Sequence, residues 1–206
     1  MQVREVLPDR ETVRTFSARE LRTYQASRTD VYGLGGIPDR ETFATMVWGA
    51  PGSGKSCFCY LIGESFVRTM GSPAVYVSYE EGISENVGSR LRWLEITEEE
   101  LHFIPSCDPS TALSTANERG ARLLILDSWS VANWSLTDLS QITEHISFIF
   151  ILHQTKAVQH AGPQYLSHYV DQVIKAEAGR YEFEKNRFGE LHKGEIFSCS
   201  NSEADI

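Results

Sequence analysis

The sequence predicts an α/β fold with a mostly parallel sheet flanked by helices, and three observations support this. The 206 residues are 41% hydrophobic and 23% charged, which is typical of a globular domain with its own core. After residue 43, short β-branched or aromatic runs alternate with helical stretches, as in chains of strand-helix units. A glycine-rich segment, GAPGSGKS at 49–56, stands between the first of these strands and the helix after it. Together they predict one α/β domain around a phosphate-binding loop.

Strands and helices are predicted from the apolar pattern and from capping residues. Five strands are expected at 44–48, 74–79, 101–104, 122–127 and 147–153. Helices are expected to start near Lys55, Ser84 and Ser110, and a shorter one to cover 137–145. Two extended segments, 171–178 and 181–187, are joined by Gly179 and Arg180, which predicts a hairpin at the edge of the sheet.

Three regions are expected along the chain. Residues 1–30 are expected to form a helical arm with its helix at 11–25, and a glycine-rich turn is expected at 33–38. Residues 31–197 are expected to form the core, and residues 198–206 an acidic, flexible tail. Whether the arm, through Phe16 and Leu21, packs on its own core or on a neighbouring copy stays open.

Charge and cysteine spacing exclude several classes of protein. The net charge of -9 argues against a protein that coats nucleic acid with its whole surface, although local basic patches remain available. The four cysteines fit neither a zinc pair nor a redox motif, so we expect free thiols. No apolar run is long enough to span a bilayer, and no secretory signal pattern is present. We therefore expect a cytoplasmic protein without a membrane partner.

Residues 49–56 fit the pattern G-x-x-x-x-G-K-[ST] in the strand-loop-helix context that the pattern requires. The glycines allow backbone N–H groups to turn toward phosphates, and the helix N-terminus adds its positive dipole end. Lys55 is expected to reach the β- and γ-phosphates, and Ser56 to ligate Mg²⁺. The candidate residues for binding ATP are Gly49, Ala50, Pro51, Gly52, Ser53, Gly54, Lys55, Ser56 and Cys57.

Carboxylates follow two of the predicted strands. Asp127 ends a buried apolar run and is expected to complete the Mg²⁺ shell. Glu80 and Glu81 follow another strand, at the edge where ligands bind in open α/β sheets. Glu80 is the candidate for orienting or deprotonating the attacking water, and Glu81 for capping a helix or pairing with a neighbour; the reverse assignment stays open. The order of these motifs favours an ATP hydrolase over a small-molecule kinase.

Further runs carry a resemblance to a known family. They are LHQTK at 152–156, AGP at 161–163 and KNRFG at 185–189, together with the strand at 75–81 and GGIP at 35–38. These resemble, in the same order along the chain, motifs of the bacterial RadA (Sms) branch of the RecA superfamily. Only the ATPase core of that branch is matched, and the stretch between Asp127 and His153 is shorter. Such a reduced core is similar to RecA-like single-strand annealing proteins of phages and to RepA-like replicative helicases.

The resemblance implies a RecA-like P-loop NTPase core from a bacterial or phage-infected cell, and it assigns roles to several residues. Glu80 would be the catalytic carboxylate, and His153 or Gln154 would sense the γ-phosphate. A second DNA-binding loop would follow at 156–162. Lys185 and Arg187 would reach ATP bound to a neighbouring copy, as an arginine finger does. The alternatives are a buried, hydrogen-bonded His153 and a hairpin with exposed basic side chains.

An active site that the next copy completes produces either a ring or a filament. Trp129 and Trp134 are expected either to stack on the bases of single-stranded DNA or to cover the sheet edge.

The predicted function is a DNA-dependent, Mg²⁺-requiring ATPase that assembles on single-stranded DNA in recombination, annealing or repair, with other recombination or replication proteins as further partners. The alternatives are a ring-forming RepA-like helicase or loader ATPase and a regulatory RecA-fold ATPase that does not act on DNA.

Overall fold

The computed structural model describes residues 17–23, 27–39, 41–132, 134–135, 145–155 and 166–197. The strands in these ranges are β1 (Arg28–Val31), β2 (Gly35–Pro38), β3 (Ala44–Gly49), β4 (Ala74–Ser78), β5 (Leu101–Pro105), β6 (Leu123–Asp127), β7 (Ser147–His153), β8 (Gln172–Glu177), β9 (Arg180–Asn186) and β10 (Lys193–Glu195). The helices are α1 (Ala18–Thr23), α2 (Lys55–Met70), α3 (Glu85–Trp93), α4 (Pro109–Glu118), α5 (Trp129–Ala132) and α6 (Leu166–Tyr169).

Eight strands form one sheet in the order β10-β9-β8-β3-β7-β6-β4-β5. The six strands from β8 to β5 run parallel, and β9 and β10 add two antiparallel strands at one side. Strands β1 and β2 form a separate antiparallel ribbon. The predicted α/β architecture with a C-terminal hairpin is therefore confirmed.

Side chains of the parallel strands alternate between two apolar cores, one on each face of the sheet. In β6, Leu123 and Ile125 lie in the core that also contains Phe58 and Phe66 of α2. Leu124 and Leu126 lie in the opposite core, with side chains of α4 and α5. Because both faces are covered, the central strands read as continuous apolar runs.

Capping residues set the helix ends that the sequence predicts. Ser84 caps α3 and accepts a hydrogen bond from the backbone N–H of Val87. Helix α4 begins one residue before the predicted Ser110, because Asp108 is its cap and Pro109 occupies its first turn. Gly71, at a φ of 60°, ends α2 and donates its N–H to the Val67 carbonyl.

Two predictions about local structure are wrong. The glycine-rich turn expected at 33–38 is mostly strand, because Gly35–Pro38 pairs with Arg28–Val31 to form the β1–β2 ribbon. The C-terminal hairpin is not the edge of the sheet, because β10 pairs along the outer side of β9. Segments of three or four residues with glycine or proline show no apolar alternation, so the sequence offers no signal for them.

Several predicted elements lie partly or wholly outside the described residues. Only α1 is described of the helix expected at 11–25, and the helix expected at 137–145 and the acidic tail fall almost entirely in the undescribed segments. Among the helices that the structure describes, none is long and apolar enough to cross a membrane.

Candidate nucleotide-binding site

Four neighbouring strands place the candidate site residues side by side. Strands β3, β7, β6 and β4 are adjacent in the sheet and parallel, so their carboxyl ends meet at one edge. At these ends lie, in the same order, the phosphate-binding loop, His153, Asp127 and Glu80. This is the edge at which open α/β sheets bind ligands. The topology thus brings together groups that are up to about a hundred residues apart in the sequence.

The loop at 49–56 has the backbone that its glycines predict. Gly52 and Gly54 have φ angles of 74° and 96°, in the left-handed region that favours glycine. Gly49 is required for a different reason: a Cβ there would lie 2.1 Å from the Ala176 carbonyl oxygen of β8. The loop therefore needs glycine both for its turns and for the close approach of two strands.

Lys55 is the cation at the centre of this loop. It is 6% exposed, and its Nζ donates to the carbonyl oxygens of Gly49 at 3.1 Å and Ala50 at 2.7 Å. Burial lowers the pKa of Lys55, whereas the negative charges of Asp127 and Glu80 oppose that shift. The ammonium group thus has weak neutral acceptors that phosphate oxygens can replace.

Asp127 lies buried at the end of β6, 8% exposed. Its carboxylate accepts hydrogen bonds from the Tyr76 hydroxyl at 2.5 Å and from the Ser56 hydroxyl. Burial raises the pKa of Asp127, and these two hydrogen bonds oppose the shift. A serine hydroxyl beside a carboxylate provides the hard oxygen ligands that Mg²⁺ prefers, so these residues fit the ion.

The two carboxylates after β4 have different surroundings. Glu80 contacts the Ser128 hydroxyl, which donates to it, and the Nε2 atom of His153. Ser128 is fully buried, and its hydroxyl also lies 3.4 Å from that His153 nitrogen. Glu81 instead accepts two hydrogen bonds from Arg90, at 2.8 and 2.9 Å. Glu80 alone of the two is held against groups from β6 and β7.

Together these groups surround a cavity of about 300 Å³, which we call the P-loop cavity. Its lining comprises Pro51, Gly52, Gly54, Lys55, Ser56, Cys57, Glu80, Glu81, Arg90, Asp127, His153 and Phe197. Of the other loop residues, Ser53 is buried and Ala50 contributes the carbonyl that Lys55 contacts. Gln154 is not part of this lining; its N–H donates to the carbonyl of Gly49, where the loop begins, at 3.0 Å. Ser128, Arg90 and Phe197 are additions that the sequence did not predict.

Lys185 and Arg187 lie away from the P-loop cavity of their own copy. At the end of β9, Asn186 pairs with Gln172 of β8, and Gln172 pairs with Thr45 near the start of β3. The loop begins at the other end of β3, so this end of β9 is about 13 Å from it. The Lys185 Nζ donates to the carbonyls of Ser167 and Val170, at 2.8 and 2.5 Å.

Arg187 is likewise bound within its own copy. It donates to the His168 carbonyl at 3.0 Å and to the Asp171 carboxylate at 3.2 Å, while its side chain stays 53% exposed. Within one copy, neither basic residue approaches the candidate site.

The two tryptophans after Asp127 are part of the core. Trp129 and Trp134 are 8% and 5% exposed, and Trp129 packs against Phe150 at a centroid distance of 5.2 Å. The Trp134 indole donates to the Tyr79 hydroxyl at 2.8 Å. Of the two alternatives, coverage of the sheet edge is therefore the one observed. The second DNA-binding loop expected at 156–162 lies outside the described residues.

Known proteins with similar sequences are DNA repair proteins named RadA. The one from Aquifex aeolicus is 28% identical over 179 residues, covering 76% of this chain and 40% of the relative. The one from Pseudomonas aeruginosa is 26% identical, covering 92% of this chain and 46% of the relative. The chain thus spans less than half the length of these relatives. No family model matches it.

Solved structures with much lower identity share the fold. The flagellar accessory protein FlaH from Methanocaldococcus jannaschii superposes with a TM-score of 0.56 at 14% identity, covering 79% of this chain and 88% of FlaH. A KaiC-like protein from Pyrococcus horikoshii superposes with a TM-score of 0.60 at 14% identity, covering 82% of this chain and 93% of that protein. In fold the chain is a RecA-like P-loop NTPase core, and over that core its sequence is similar to RadA.

Proposed function

We propose that this chain is a Mg²⁺-dependent ATPase that binds single-stranded DNA in recombination, annealing or repair and hydrolyses ATP at sites shared between neighbouring copies. One observation carries the ATPase part of the proposal. Lys55, Asp127 and Glu80 come from three separate strand ends, and they line a single cavity together with Ser56. A phosphate-binding cation, a metal-binding pair and a carboxylate for water are the groups that phosphoryl transfer to water requires.

Each of these residues has a role that its surroundings support. When ATP binds, the Lys55 ammonium exchanges the carbonyls of Gly49 and Ala50 for phosphate oxygens. Ser56 and Asp127 would hold Mg²⁺, and the ion would supply positive charge that neutralises developing charge on the phosphates. Glu80 accepts the proton of the water that attacks the γ-phosphorus, and ADP leaves with the electron pair of the broken bond. Ser128 and His153 orient the Glu80 carboxylate through the contacts described above.

The DNA part of the proposal rests on the similarity to RadA proteins, which are named for DNA repair. DNA contacts are assigned to the loop expected at 156–162, which is outside the described residues; the strand before it, β7, ends at the same sheet edge as the P-loop cavity. Because the net charge is -9, DNA contact is expected to be confined to such a local segment and to weaken with salt.

The shared-site part of the proposal rests on the placement of Lys185 and Arg187. They lie at the edge of the sheet opposite the P-loop cavity and do not reach the ATP site of their own copy, so in this proposal they act on ATP bound to another copy. A head-to-tail contact between copies brings these two edges together, and its repetition produces a ring or a filament. A stable ring without DNA would favour the RepA-like helicase or loader function, and assembly on DNA the recombination function.

A second candidate function is a regulatory ATPase on the same core that does not act on DNA. The burial of Trp129 and Trp134 favours it, because two side chains with the right chemistry to stack on bases are occupied within the core. Both candidates share the ATP site and differ in their response to DNA.

Steady-state ATP hydrolysis, measured with and without single-stranded DNA over a range of protein concentrations, tests the proposal. We expect hydrolysis that requires Mg²⁺, rises with DNA and increases more steeply than linearly with protein concentration. Hydrolysis that is indifferent to DNA at low salt would select the regulatory ATPase. The absence of any hydrolysis under all these conditions would refute both candidates.

A further inference from the structure

An aromatic side chain from the end of the described chain forms part of the P-loop cavity wall. Phe197 lines the cavity. A Cβ built on Gly54 of the loop would lie 3.0 Å from its ring, and one on Gly179, in the β8–β9 turn, 3.1 Å. The ring therefore lies directly against the phosphate-binding loop, in a position that two glycines leave open.

The backbone before Phe197 is anchored on both sides. Ile196 is buried, and its N–H donates to the Gly179 carbonyl at 2.8 Å. The Tyr32 hydroxyl, from the turn between β1 and β2, donates to the carbonyls of Glu195 at 2.9 Å and Ile196 at 3.2 Å. These contacts fix the direction in which the chain leaves β10 and hence the position of the Phe197 ring.

A second aromatic side chain stands beside the first. Trp93, at the end of α3, packs edge-on against Phe197 with ring centroids 5.2 Å apart, yet it is 59% exposed. Arg90, one turn earlier on α3, lines the cavity, and its guanidinium is held by Glu81. Trp93 thus leaves a large apolar face open to solvent next to the Phe197 ring.

The cavity therefore has two chemically different parts. Glu80, Asp127 and His153 provide the polar part where phosphate chemistry is expected. Phe197 provides a flat apolar face and Arg90 a planar cation, and Trp93 packs against Phe197 beside them. Such faces suit an aromatic heterocycle, which stacks on rings and on guanidinium planes.

We propose that Phe197, supported by Trp93, is the stacking wall for the base of the bound nucleotide. This inference rests on the proposed function and adds the part of the site that recognises the nucleoside. The polar part of the cavity then acts on the phosphates. A ligand that has phosphates but no base can therefore still bind there. Phe197 and the phosphate-binding residues should therefore respond differently to removal of the base.

Isothermal titration of the full chain with ADP and with inorganic tripolyphosphate tests this assignment. We expect Phe197→Ala to weaken ADP binding about 5- to 150-fold, the range for loss of one stacked base, and to leave tripolyphosphate binding unchanged. Trp93→Ala, on an exposed side chain, should weaken ADP binding in the same selective way. Phe197→Tyr should bind ADP as the wild type does. Leu191→Ala is the matched control, because Leu191 is 60% exposed on the same segment and does not line the cavity.

Three outcomes would overturn the assignment while leaving the proposed function in place. They are unchanged ADP affinity in both alanine variants, equal losses for ADP and tripolyphosphate, and unchanged affinity with an altered oligomeric state in light scattering. The last would identify the aromatic pair as a contact between copies. Failure of the wild type to bind either ligand would instead refute the proposed function, and this inference with it.

Discussion

At the scale of single residues, Asp127 is a carboxylate that the fold buries at a cost. It is 8% exposed, and burial raises its pKa above the ordinary value, although hydrogen bonds from Tyr76 and Ser56 offset part of the cost. A charged group whose burial lowers the stability of the folded protein is typical of a functional site. The cost is one that a bound cation would relieve.

Replacement of this charge is expected to stabilise the protein. Because the pKa of Asp127 is raised in the folded state, the folded state binds more protons than the unfolded state at pH values between the usual carboxyl pKa of about 3.9 and the raised pKa. The free energy of unfolding therefore falls as pH rises through that window. Asp127→Asn should therefore raise the Tm at neutral pH, by about 2–4 °C for each kcal/mol recovered. Thermal unfolding of both proteins across pH checks this. The difference should vanish below the usual carboxyl pKa, and a lower Tm for the variant at neutral pH would contradict the account.

The two neighbouring glutamates are expected to differ in their effects on catalysis. Glu80→Gln should lower kcat for ATP hydrolysis by about 10²–10⁴-fold, because a general base contributes that much, and should leave ADP affinity nearly unchanged. Glu81→Gln is the matched control, because its partner is Arg90 and not Ser128 or His153. Initial rates at saturating ATP and titrations with ADP measure both effects. The reverse order of the two kcat values would move the catalytic role to Glu81.

Most of the polar part of the cavity could be predicted from the sequence because its chemistry is local. Lys55 and Ser56 belong to a contiguous motif, and Asp127 and Glu80 each follow an apolar run that predicts a strand. Ser128 and Phe197 could not be predicted in the same way. The Ser128 contacts form only where the ends of β4, β6 and β7 meet, and Phe197 reaches the loop because of the path that follows β10.

At the scale of elements, the contact between β3 and β8 determines the position of the P-loop. The two strands are parallel neighbours, and Gly49 is where β3 ends and the loop begins. The Ala176 carbonyl of β8 approaches this glycine so closely that no side chain fits between them. The strand pair and the start of the loop are thus a single packed unit.

Alanine substitutions at two glycines should have opposite effects on stability. Gly49→Ala should lower the free energy of unfolding by about 3 kcal/mol or more, because the added methyl group meets backbone, which cannot move away as a side chain can. Gly88→Ala, inside α3, should raise it by about 0.5–1 kcal/mol, because its Cβ would meet nothing nearer than the end of Arg92, at 3.4 Å. Urea unfolding measures both. A Gly49→Ala protein as stable as the wild type would disprove the close packing of β3 and β8.

The strands that the sequence identifies most directly are those with continuous apolar runs. The strands β3, β4, β6 and β7 are buried on both faces and bounded by turns, so their residues alone identify them. The β1–β2 ribbon and β10 are short and have no such run; β1 pairs with β2, and β10 pairs with β9. Their extended structure depends on that pairing, which local propensity does not encode.

At the scale of the whole molecule, the sheet separates two groups that the proposed reaction needs together. The P-loop cavity lies at the carboxyl ends of the parallel strands, and Lys185 and Arg187 lie at the opposite edge. No rearrangement of side chains spans about 13 Å along the sheet. If these basic residues act on ATP, the ATP belongs to another copy, and a single copy should hydrolyse it poorly.

Mixing two inactive variants tests this claim most directly. Lys55→Ala should abolish nucleotide binding, and Arg187→Ala should bind nucleotide but not hydrolyse it. In an equimolar random assembly, about one site in four combines an intact loop from one copy with an intact Arg187 from the next, so about a quarter of the wild-type ATPase activity should return. A mixture no more active than its components, or full activity of Arg187→Ala alone, would contradict an ATP site shared between copies.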